Sequence, residues 1–310
     1  MSVVVLALLV IAVGLIRTRA RTRALRTVAA RLSLGADGVV VGAAPIELSA
    51  DTGRAVLLLH GFGDTPQTLE YLASYLHAHG WTVRAPLLPG HGRSLDAFAA
   101  SRADEWIELA RHELETLRRR YPMVSIVGLS MGGSLATILA AESPDVRAVA
   151  LLAPYLSMPT RLRRAAAVHS VLGLAVPYLR GGGERSIRDP DELARNLAYG
   201  FTTPRLVYEL SQVVERARRA APNVSAPTLV IQSRQDNRIP ADAAERAFAL
   251  FTAPHRRLVW TEGNGHIITV DYGRQAIFAS VVEWLATHTL SDPRSLGVAE
   301  PPRTPTRSAP

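Results

Sequence analysis

The sequence contains no cysteine among its 310 residues, which excludes disulfide bonds, thiolate metal sites and cysteine nucleophiles. Lysine is absent as well, and all 35 basic side chains are arginine. Its 22 glycines and 20 prolines follow no repeating period, so a fibrous protein is excluded. Hydrophobic residues make up 48% of the chain, which excludes a mostly disordered protein and suffices for one large domain or two small ones.

The net charge of +8 is unevenly distributed along the chain. Such an excess would ordinarily point to nucleic acid or an anionic membrane as partner. Residues 1–31 hold six arginines and no acid, and residues 292–310 add a further +1. Residues 32–291 therefore carry only +1. This distribution gives no support to a nucleic-acid-binding face on the body, and no nucleic-acid partner is expected.

The first 31 residues combine an apolar run with the arginine cluster. Residues 3–16 form an unbroken apolar run of 14 residues, about 21 Å long as a helix and shorter than the roughly 30 Å hydrocarbon core of a bilayer. Met1 and Ser2 can extend this helix, and the Arg17 side chain can reach the headgroups. The arginines suit anionic lipids. We therefore expect residues 1–31 to anchor the protein to a membrane.

The position of the charges also predicts an orientation. A cleaved signal peptide carries its positive charge before the apolar run, whereas these arginines all follow it. The positive-inside rule then places the body on the cytoplasmic side of the membrane. The alternatives are an N-terminal extension without a membrane role, on a cytoplasmic protein, or a secreted protein.

From residue 39 onward, short β-rich runs alternate with helical stretches. Strands are predicted at residues 39–41, 46–48, 55–60, 82–86, 124–128, 146–153, 228–232 and 257–260. Helices are predicted from residue 66 and at residues 104–120, 132–142, 161–176, 190–200, 204–220 and 272–287. This alternation predicts an α/β domain over residues 32–290, with a mostly parallel sheet covered by helices on both faces. The proline-rich tail at residues 291–310 is predicted to be disordered.

The strand at residues 124–128 runs directly into Gly128-Leu129-Ser130-Met131-Gly132, a G-x-S-x-G motif between a strand and a helix. A sharp turn of this kind holds the serine in a strained backbone conformation, and the glycines avoid collisions with the neighbouring strand and helix. Ser130 is therefore a candidate nucleophile. The motif alone also fits a glycine-rich strand-to-helix turn without a catalytic role.

A loop after another predicted strand supplies a candidate for stabilising the reacting oxygen. His60-Gly61-Phe62-Gly63-Asp64 follows a predicted strand, and the backbone N–H groups of Phe62 and Met131 are candidates for an oxyanion hole. His60 itself is expected to be structural, as is His91 in a nearby Pro-Gly-His-Gly turn.

Serine–histidine chemistry needs an imidazole as base and a carboxylate to orient it. Asp236 follows a predicted strand, and His266 lies in the loop before the last helix, so the chain order is Ser130, Asp236, His266. Asp242 and Glu262 are alternative acids, but neither follows a strand so directly.

These residues, in this order, resemble the α/β-hydrolase superfamily of serine hydrolases, and within it the bacterial carboxylesterases and monoacylglycerol lipases. The resemblance spans about residues 55–287 and rests on five stretches: LLLHGFGDTP (57–66), APLLPGHGRS (85–94), VGLSMGGSLA (127–136), APTLVIQSRQD (226–236) and GNGHIITVD (263–271). It implies Ser130 as nucleophile, Asp236 and His266 as its partners, and Phe62 and Met131 as oxyanion donors. Gly265 is a departure, since family members often carry serine before the histidine.

The insertion between the predicted strands, at about residues 154–225, is implied by the resemblance to form a cap over the serine. Its apolar side chains can line an acyl pocket or simply pack the cap onto the sheet; they are Leu172, Leu174, Val176, Leu197, Phe201, Leu206 and Leu210.

The predicted function is hydrolysis of short-to-medium acyl esters or monoacylglycerols, through an acyl-enzyme and with no metal or organic cofactor. Another reaction on the same three residues is an alternative, such as that of a thioesterase, an acyltransferase, a peroxidase-like enzyme or a C–C hydrolase. A non-catalytic lipid-binding protein is a third. The sequence leaves the oligomeric state open.

Overall fold

The computed structural model describes residues 3–181 and 186–290, so the predicted tail at residues 291–310 lies outside the described residues. Its strands are β1 (Ile46–Leu48), β2 (Arg54–Leu59), β3 (Thr82–Ala85), β4 (Met123–Leu129), β5 (Val149–Leu152), β6 (Leu179–Arg180), β7 (Phe201–Thr202), β8 (Thr228–Ser233) and β9 (Arg256–Thr261). The main sheet has the order β1-β3-β2-β4-β5-β8-β9, and β6 pairs with β7 separately. Only β1 runs antiparallel to its neighbour in this sheet. The predicted mostly parallel sheet is confirmed.

The helices cover this sheet and extend beyond it. They are α1 (Val3–Ala29), α2 (Glu70–Ala78), α3 (Leu95–Ala100), α4 (Ala103–Arg120), α5 (Met131–Glu142), α6 (Thr160–Ala167), α7 (His169–Ala175), α8 (Pro190–Arg195), α9 (Pro204–Ala220), α10 (Ala241–Phe248) and α11 (Arg274–Leu290). Short 3₁₀ turns occur at Pro66–Leu69 and Ala221–Asn223. The insertion thus contains α6 to α9 together with β6 and β7.

Alternate residues of the central strands face opposite sides of the sheet, as strand geometry requires. In β2, Leu57 and Leu59 belong to one hydrophobic core, whereas Val56 and Leu58 belong to the other. Helices α4, α5, α9 and α10 cover the first core, and α2 and α11 cover the second. Each fully buried leucine contributes roughly 1.5–3 kcal/mol to folding, so this double layer fixes the strand ends firmly.

The predicted strand at residues 39–41 is wrong. Val40 forms only an isolated bridge with Leu34. Gly38 and Gly42 flank it with φ angles of 72° and 88°, a left-handed conformation that turns the chain on either side.

Two predicted helices of the insertion are shorter than expected. The helix predicted at 161–176 is divided into α6 and α7 at Val168, whose φ and ψ of −109° and 20° are not helical. The helix predicted at 190–200 ends at Arg195, because Asn196 is extended and its side-chain oxygen accepts a hydrogen bond from the Ala198 N–H instead. The short helices α3 and α10 were not predicted.

Helix α1 continues past the apolar run and through the arginines, over about 40 Å. It is the one helix in the described parts of the chain that is long and apolar enough to cross a membrane. Its first half is exposed, as Val3 and Val10 show with 83% and 63% exposure. Its second half packs onto the body, where Ala24 and Val28 are buried.

Candidate active site

Ser130 lies on the tight turn between β4 and α5. Its φ and ψ are 55° and −117°, which is strained for any residue other than glycine. The Ser130 N–H donates to the carbonyl of Leu152 at 2.9 Å, and its own carbonyl accepts from the Tyr155 N–H at 3.0 Å. These bonds to the end of β5 and the residues after it hold the turn in place, with the side chain before the first turn of α5.

The glycines of the motif permit the close approach of this turn to its neighbours. A Cβ atom on Gly132 would lie 1.9 Å from the carbonyl oxygen of Leu59, and one on Gly128 would lie 2.1 Å from the carbonyl oxygen of Gly132. Both distances are impossible between non-bonded atoms. The prediction that side chains at these positions would collide is confirmed.

Three predicted residues from distant parts of the chain form one hydrogen-bonded line. The Ser130 Oγ lies 2.8 Å from Nε2 of His266, and Nδ1 of His266 lies 2.7 Å from Oδ2 of Asp236. Since the carboxylate accepts a hydrogen bond from Nδ1–H, Nε2 carries the lone pair that accepts from the serine hydroxyl. The alternative acid Asp242 instead pairs with Arg246 on the exposed side of α10.

The environment of Asp236 keeps it ionised. Its side chain is fully buried, and burial alone would raise the pKa. The electrostatic interaction with His266, the hydrogen bond from that ring and the N–H groups of Arg238 and Ile239 outweigh burial and hold the pKa of Asp236 below its ordinary value. Gln232 donates a further hydrogen bond to Oδ2 at 2.7 Å.

The predicted oxyanion donors lie beside Ser130. Phe62 belongs to the loop after β2, and a Cβ added to the preceding Gly61 would lie 3.4 Å from the Ser130 Cβ. Met131 is the first residue of α5. Within residues 3–181 and 186–290, neither backbone N–H donates to a protein acceptor. Each N–H can therefore donate a hydrogen bond to a ligand oxygen, as an oxyanion hole requires.

Burial and packing explain the two histidines that were expected to be structural. The His60 Nδ1 donates to the Gly61 carbonyl, and its Nε2 accepts from the Leu88 N–H at 3.1 Å. Burial lowers the pKa of His60 to about 4, and burial also lowers the pKa of the adjacent His91. His60 thus joins the loop of Phe62 to the turn after β3 as a neutral ring. The nearby Asp64 is buried too, which raises its pKa to about 6.

Sequence reasoning missed Asp271, a buried carboxylate behind His266. Its oxygens accept hydrogen bonds from the N–H groups of Gly265 at 2.6 Å and Tyr272 at 2.9 Å. They also accept from Arg188 at 2.9 Å and Asp189 at 3.0 Å, in the insertion. The one available signal was an acid between the apolar run Ile267-Ile268-Thr269-Val270 and the last helix. Asp271 joins the histidine loop to the insertion.

Ser186 was also missed and makes a second junction between the same regions. Its carbonyl accepts from the Ile267 N–H at 2.9 Å, next to His266. Its Oγ lies 3.3 Å from Oδ1 of Asn237 and accepts from Nε of Arg238 at 3.1 Å, in the loop of Asp236. Residues 186–189 therefore contact the loops of both the histidine and the acid.

The apolar side chains of the insertion lie in different environments. Leu206 and Leu210 lie on α9 and are buried in the core, so they pack the insertion onto the body. Leu197 and Phe201 are half-buried against that core, and Leu172 and Val176 are half-buried on or after α7. Leu174 is 70% exposed and faces away from the core.

The arrangement has the parts that an acyl-transfer reaction requires. It places a hydroxyl at hydrogen-bond distance from an imidazole and an ionised carboxylate on the opposite ring nitrogen. Two candidate backbone donors, on the residue after Ser130 and in the loop after β2, complete the set.

Comparison with known proteins finds a serine hydrolase family and two ester-cleaving enzymes to which this chain is similar. The profile of the family described as serine aminopeptidase, S33, matches residues 50–272. A thermostable monoacylglycerol lipase of Bacillus sp. strain H-257 is 27% identical, over 81% of this chain and 97% of its own. The carboxylesterase of Bacillus subtilis strain 168 is 26% identical, over 75% of this chain and 92% of its own.

Two solved structures are also similar to this chain. A structure reported for the metagenome-derived lipolytic enzymes LipS and LipT is 28% identical, with a TM-score of 0.73 over 80% of this chain and 98% of that one. The monoacylglycerol lipase of Paleococcus ferrophilus has a TM-score of 0.68 at 24% identity, over 79% of this chain and 98% of its own, and shows likeness of fold.

Proposed function

The chain belongs to the serine aminopeptidase S33 family of α/β-hydrolases and is a hydrolase, and on this premise we propose that it cleaves carboxylic esters through Ser130, His266 and Asp236. The observation that carries the proposal is the hydrogen-bonded line of these residues, at 2.8 Å and 2.7 Å. Short-to-medium acyl esters or monoacylglycerols are the proposed substrates, because the similar proteins named above include a monoacylglycerol lipase and a carboxylesterase.

In the first half-reaction, the Ser130 Oγ attacks the ester carbonyl carbon while its proton passes to Nε2 of His266. The carbonyl oxygen becomes an oxyanion and accepts hydrogen bonds from the N–H groups of Phe62 and Met131. The tetrahedral intermediate collapses, the bond to the alcohol oxygen breaks, and the imidazolium protonates that oxygen. The product is an acyl ester of Ser130 together with the free alcohol.

In the second half-reaction, His266 removes a proton from water, whose oxygen attacks the acyl carbon. The oxyanion forms again in the same place, and its collapse returns the proton to the Ser130 Oγ and releases the carboxylic acid. Asp236 accepts the hydrogen bond from Nδ1–H throughout, which fixes the tautomer and stabilises the imidazolium. The low pKa of Asp236 suits this role because the group stays charged at neutral pH.

The insertion at residues 154–225 is proposed to be the cap of a domain that spans residues 32–290, and residues 1–31 its membrane anchor. The exposed apolar half of α1 and the arginines behind it support the anchor. The charge order supports a cytoplasmic body.

A fluorophosphonate probe tests the nucleophile, and a substrate series tests the specificity. We expect the probe to label the protein and not the Ser130→Ala variant. Equal labelling of both would overturn the assignment. p-Nitrophenyl esters from acetate to laurate and monoacylglycerols measure the chain-length preference. An amino-acid p-nitroanilide is the comparison, because the family's description names an aminopeptidase; faster cleavage of the amide than of every ester would contradict an esterase.

A further inference from the structure

Most of the exposed large apolar side chains among the described residues are concentrated in two neighbouring places. One is the first half of α1, from Val3 to Ile16. The other is a short stretch of the insertion in which Val168, Val171 and Leu174 are 53%, 69% and 70% exposed. We call these last three residues the α7 face. Exposed apolar groups that cluster in this way indicate a binding surface.

Packing on the opposite side of α7 fixes its rotation. The His169 ring stacks on Tyr208 of α9, with ring centroids 4.1 Å apart and an interplanar angle of 20°. Leu172 is half-buried on the same side. Because Val171 and Leu174 are three residues apart on α7, they lie together on the other side and face away from the body. Val168, the residue before α7, is exposed as well.

Helix α1 contacts α7 at the point where the apolar run of α1 ends. Arg17 is the first residue after that run, and its guanidinium donates to the carbonyls of Gly173 and Leu174. One turn further along α1, Arg21 pairs with Asp96 at 2.5 Å, and Asp96 also accepts from the hydroxyl of Tyr178 at 2.8 Å. The end of α7 therefore lies level with the boundary between the apolar and basic halves of α1.

The charges around the α7 face favour a lipid surface as its partner. Residues 154–181 contain four arginines and no acid, and three of these, Arg161, Arg163 and Arg164, lie exposed on the adjacent α6. An apolar stripe beside arginines is typical of segments that lie in the headgroup region of anionic bilayers. A second copy of this chain would bring the same basic groups together and be repelled.

From this juxtaposition we propose that the α7 face is a second membrane-contacting surface, which α1 holds at headgroup depth through Arg17. The proposal rests on the membrane association proposed for residues 1–31, and it does not depend on the esterase activity. The family profile begins at residue 50, so α1 and its arginines lie outside the part of the chain that the profile matches. They place the insertion against the bilayer in which a lipid ester would lie.

The absence of cysteine makes a site-specific depth measurement possible. The full chain with Val171→Cys is labelled with the environment-sensitive fluorophore NBD and reconstituted into vesicles of phosphatidylglycerol and phosphatidylcholine. Val10→Cys on α1 is the positive control. Val41→Cys is the matched control, because Val41 is 66% exposed and lies in the loop after α1, near its far end. Nitroxide-labelled lipids then report contact with the acyl region by quenching.

We expect quenching at positions 10 and 171 and an unquenched, water-like emission at position 41. Quenching at position 10 without quenching at 171 would overturn the proposal, and absence of quenching at both would remove the anchor on which it rests. A blue-shifted, unquenched emission at 171 that disappears on dilution into excess lipid would indicate a second copy and also overturn it. Hydrolysis of p-nitrophenyl butyrate by the labelled variants tests the esterase separately.

Discussion

The candidate triad and the α7 face differ in how the chain holds them. Ser130 is fixed by backbone hydrogen bonds to Leu152 and Tyr155, and the Asp236 carboxylate accepts from four groups of the protein. Val171 and Leu174 are exposed, and the contacts of α7 with the rest of the protein include a ring stack on α9 and the Arg17 side chain.

This difference follows from what each region needs. Acyl transfer requires groups aligned to within fractions of an ångström, which dense backbone hydrogen bonding at strand ends provides. Binding to a lipid surface requires exposed apolar area but no fixed geometry. Substitutions at the triad should therefore abolish chemistry, whereas substitutions on the α7 face should change only what reaches the site.

The largest effect is expected from Ser130→Ala, which removes the nucleophile. The rate constant kcat for p-nitrophenyl butyrate should fall by about 10⁶-fold, to the residual activity of the oxyanion donors. Circular dichroism should show an unchanged fold, because the Ser130 side chain is small and, among the residues that the structure describes, hydrogen-bonds only to His266. Retention of a tenth of the activity would assign the nucleophile to another residue.

Asp236→Asn should lower kcat by about 10⁴-fold, because an amide favours the wrong tautomer of His266. Asp242→Asn is the matched control, since Asp242 is an acid of the same segment that pairs with Arg246 on the surface. The control should retain nearly full activity. A larger loss in Asp242→Asn than in Asp236→Asn would exchange the roles of the two acids.

The sequence predicts the triad region better than the insertion, and the reason is physical. A Cβ atom on Gly128 or Gly132 would lie about 2 Å from a backbone oxygen, so the nucleophile turn needs glycine at both positions. This requirement is visible in the local sequence. Central strands such as β2 are apolar throughout, and they are equally recognisable.

Long-range junctions leave no such local signal. Asp271 accepts from residues more than 80 positions away in the chain, and nothing in its own neighbourhood distinguishes it from a surface acid before a helix. The break at Val168 and the packing of α1 on α7 likewise depend on tertiary contacts that periodicity does not encode.

A pH-dependent loss of stability should arise at the site and involve His60. Its pKa is about 4 in the folded protein and 6.5 in the unfolded chain, so the unfolded state binds more protons between these values and stability rises with pH in that window. Acidification through this window should lower the free energy of unfolding by about 3 kcal/mol. Chemical unfolding at pH 7 and pH 4.5 should show a smaller difference for His60→Gln than for the exposed control His112→Gln.

The comparison between variants is needed because Asp64 acts in the opposite direction. Its folded pKa of about 6 lies above the unfolded value of 3.8, so stability falls as pH rises between these values. An equal pH difference in both histidine variants would contradict the role of His60.

Asp271→Asn tests whether the junction between the histidine loop and the insertion positions His266. The asparagine side chain has one acceptor oxygen where the carboxylate has two, so it cannot accept hydrogen bonds from all four N–H groups. We therefore expect kcat to fall about 10- to 100-fold. The KM for p-nitrophenyl butyrate should remain unchanged, and the fluorophosphonate labelling rate should fall in parallel with kcat. Asp189→Asn is the control, because the Asp189 carboxylate caps α8 and does not bind the histidine loop. A lower melting temperature with unchanged kcat would indicate a purely structural role.

The smallest effect on soluble substrate is expected from Val171→Glu with Leu174→Glu on the α7 face. Since both side chains are mostly exposed, kcat and KM for p-nitrophenyl butyrate should stay within about twofold of the parent, as for the control Val41→Glu. Hydrolysis of monoacylglycerol embedded in anionic vesicles should fall by about 10-fold or more, because the two carboxylates oppose contact with the headgroup region. A loss on both substrates would mean that α7 shapes the site itself, and the contrast between the two regions would then fail.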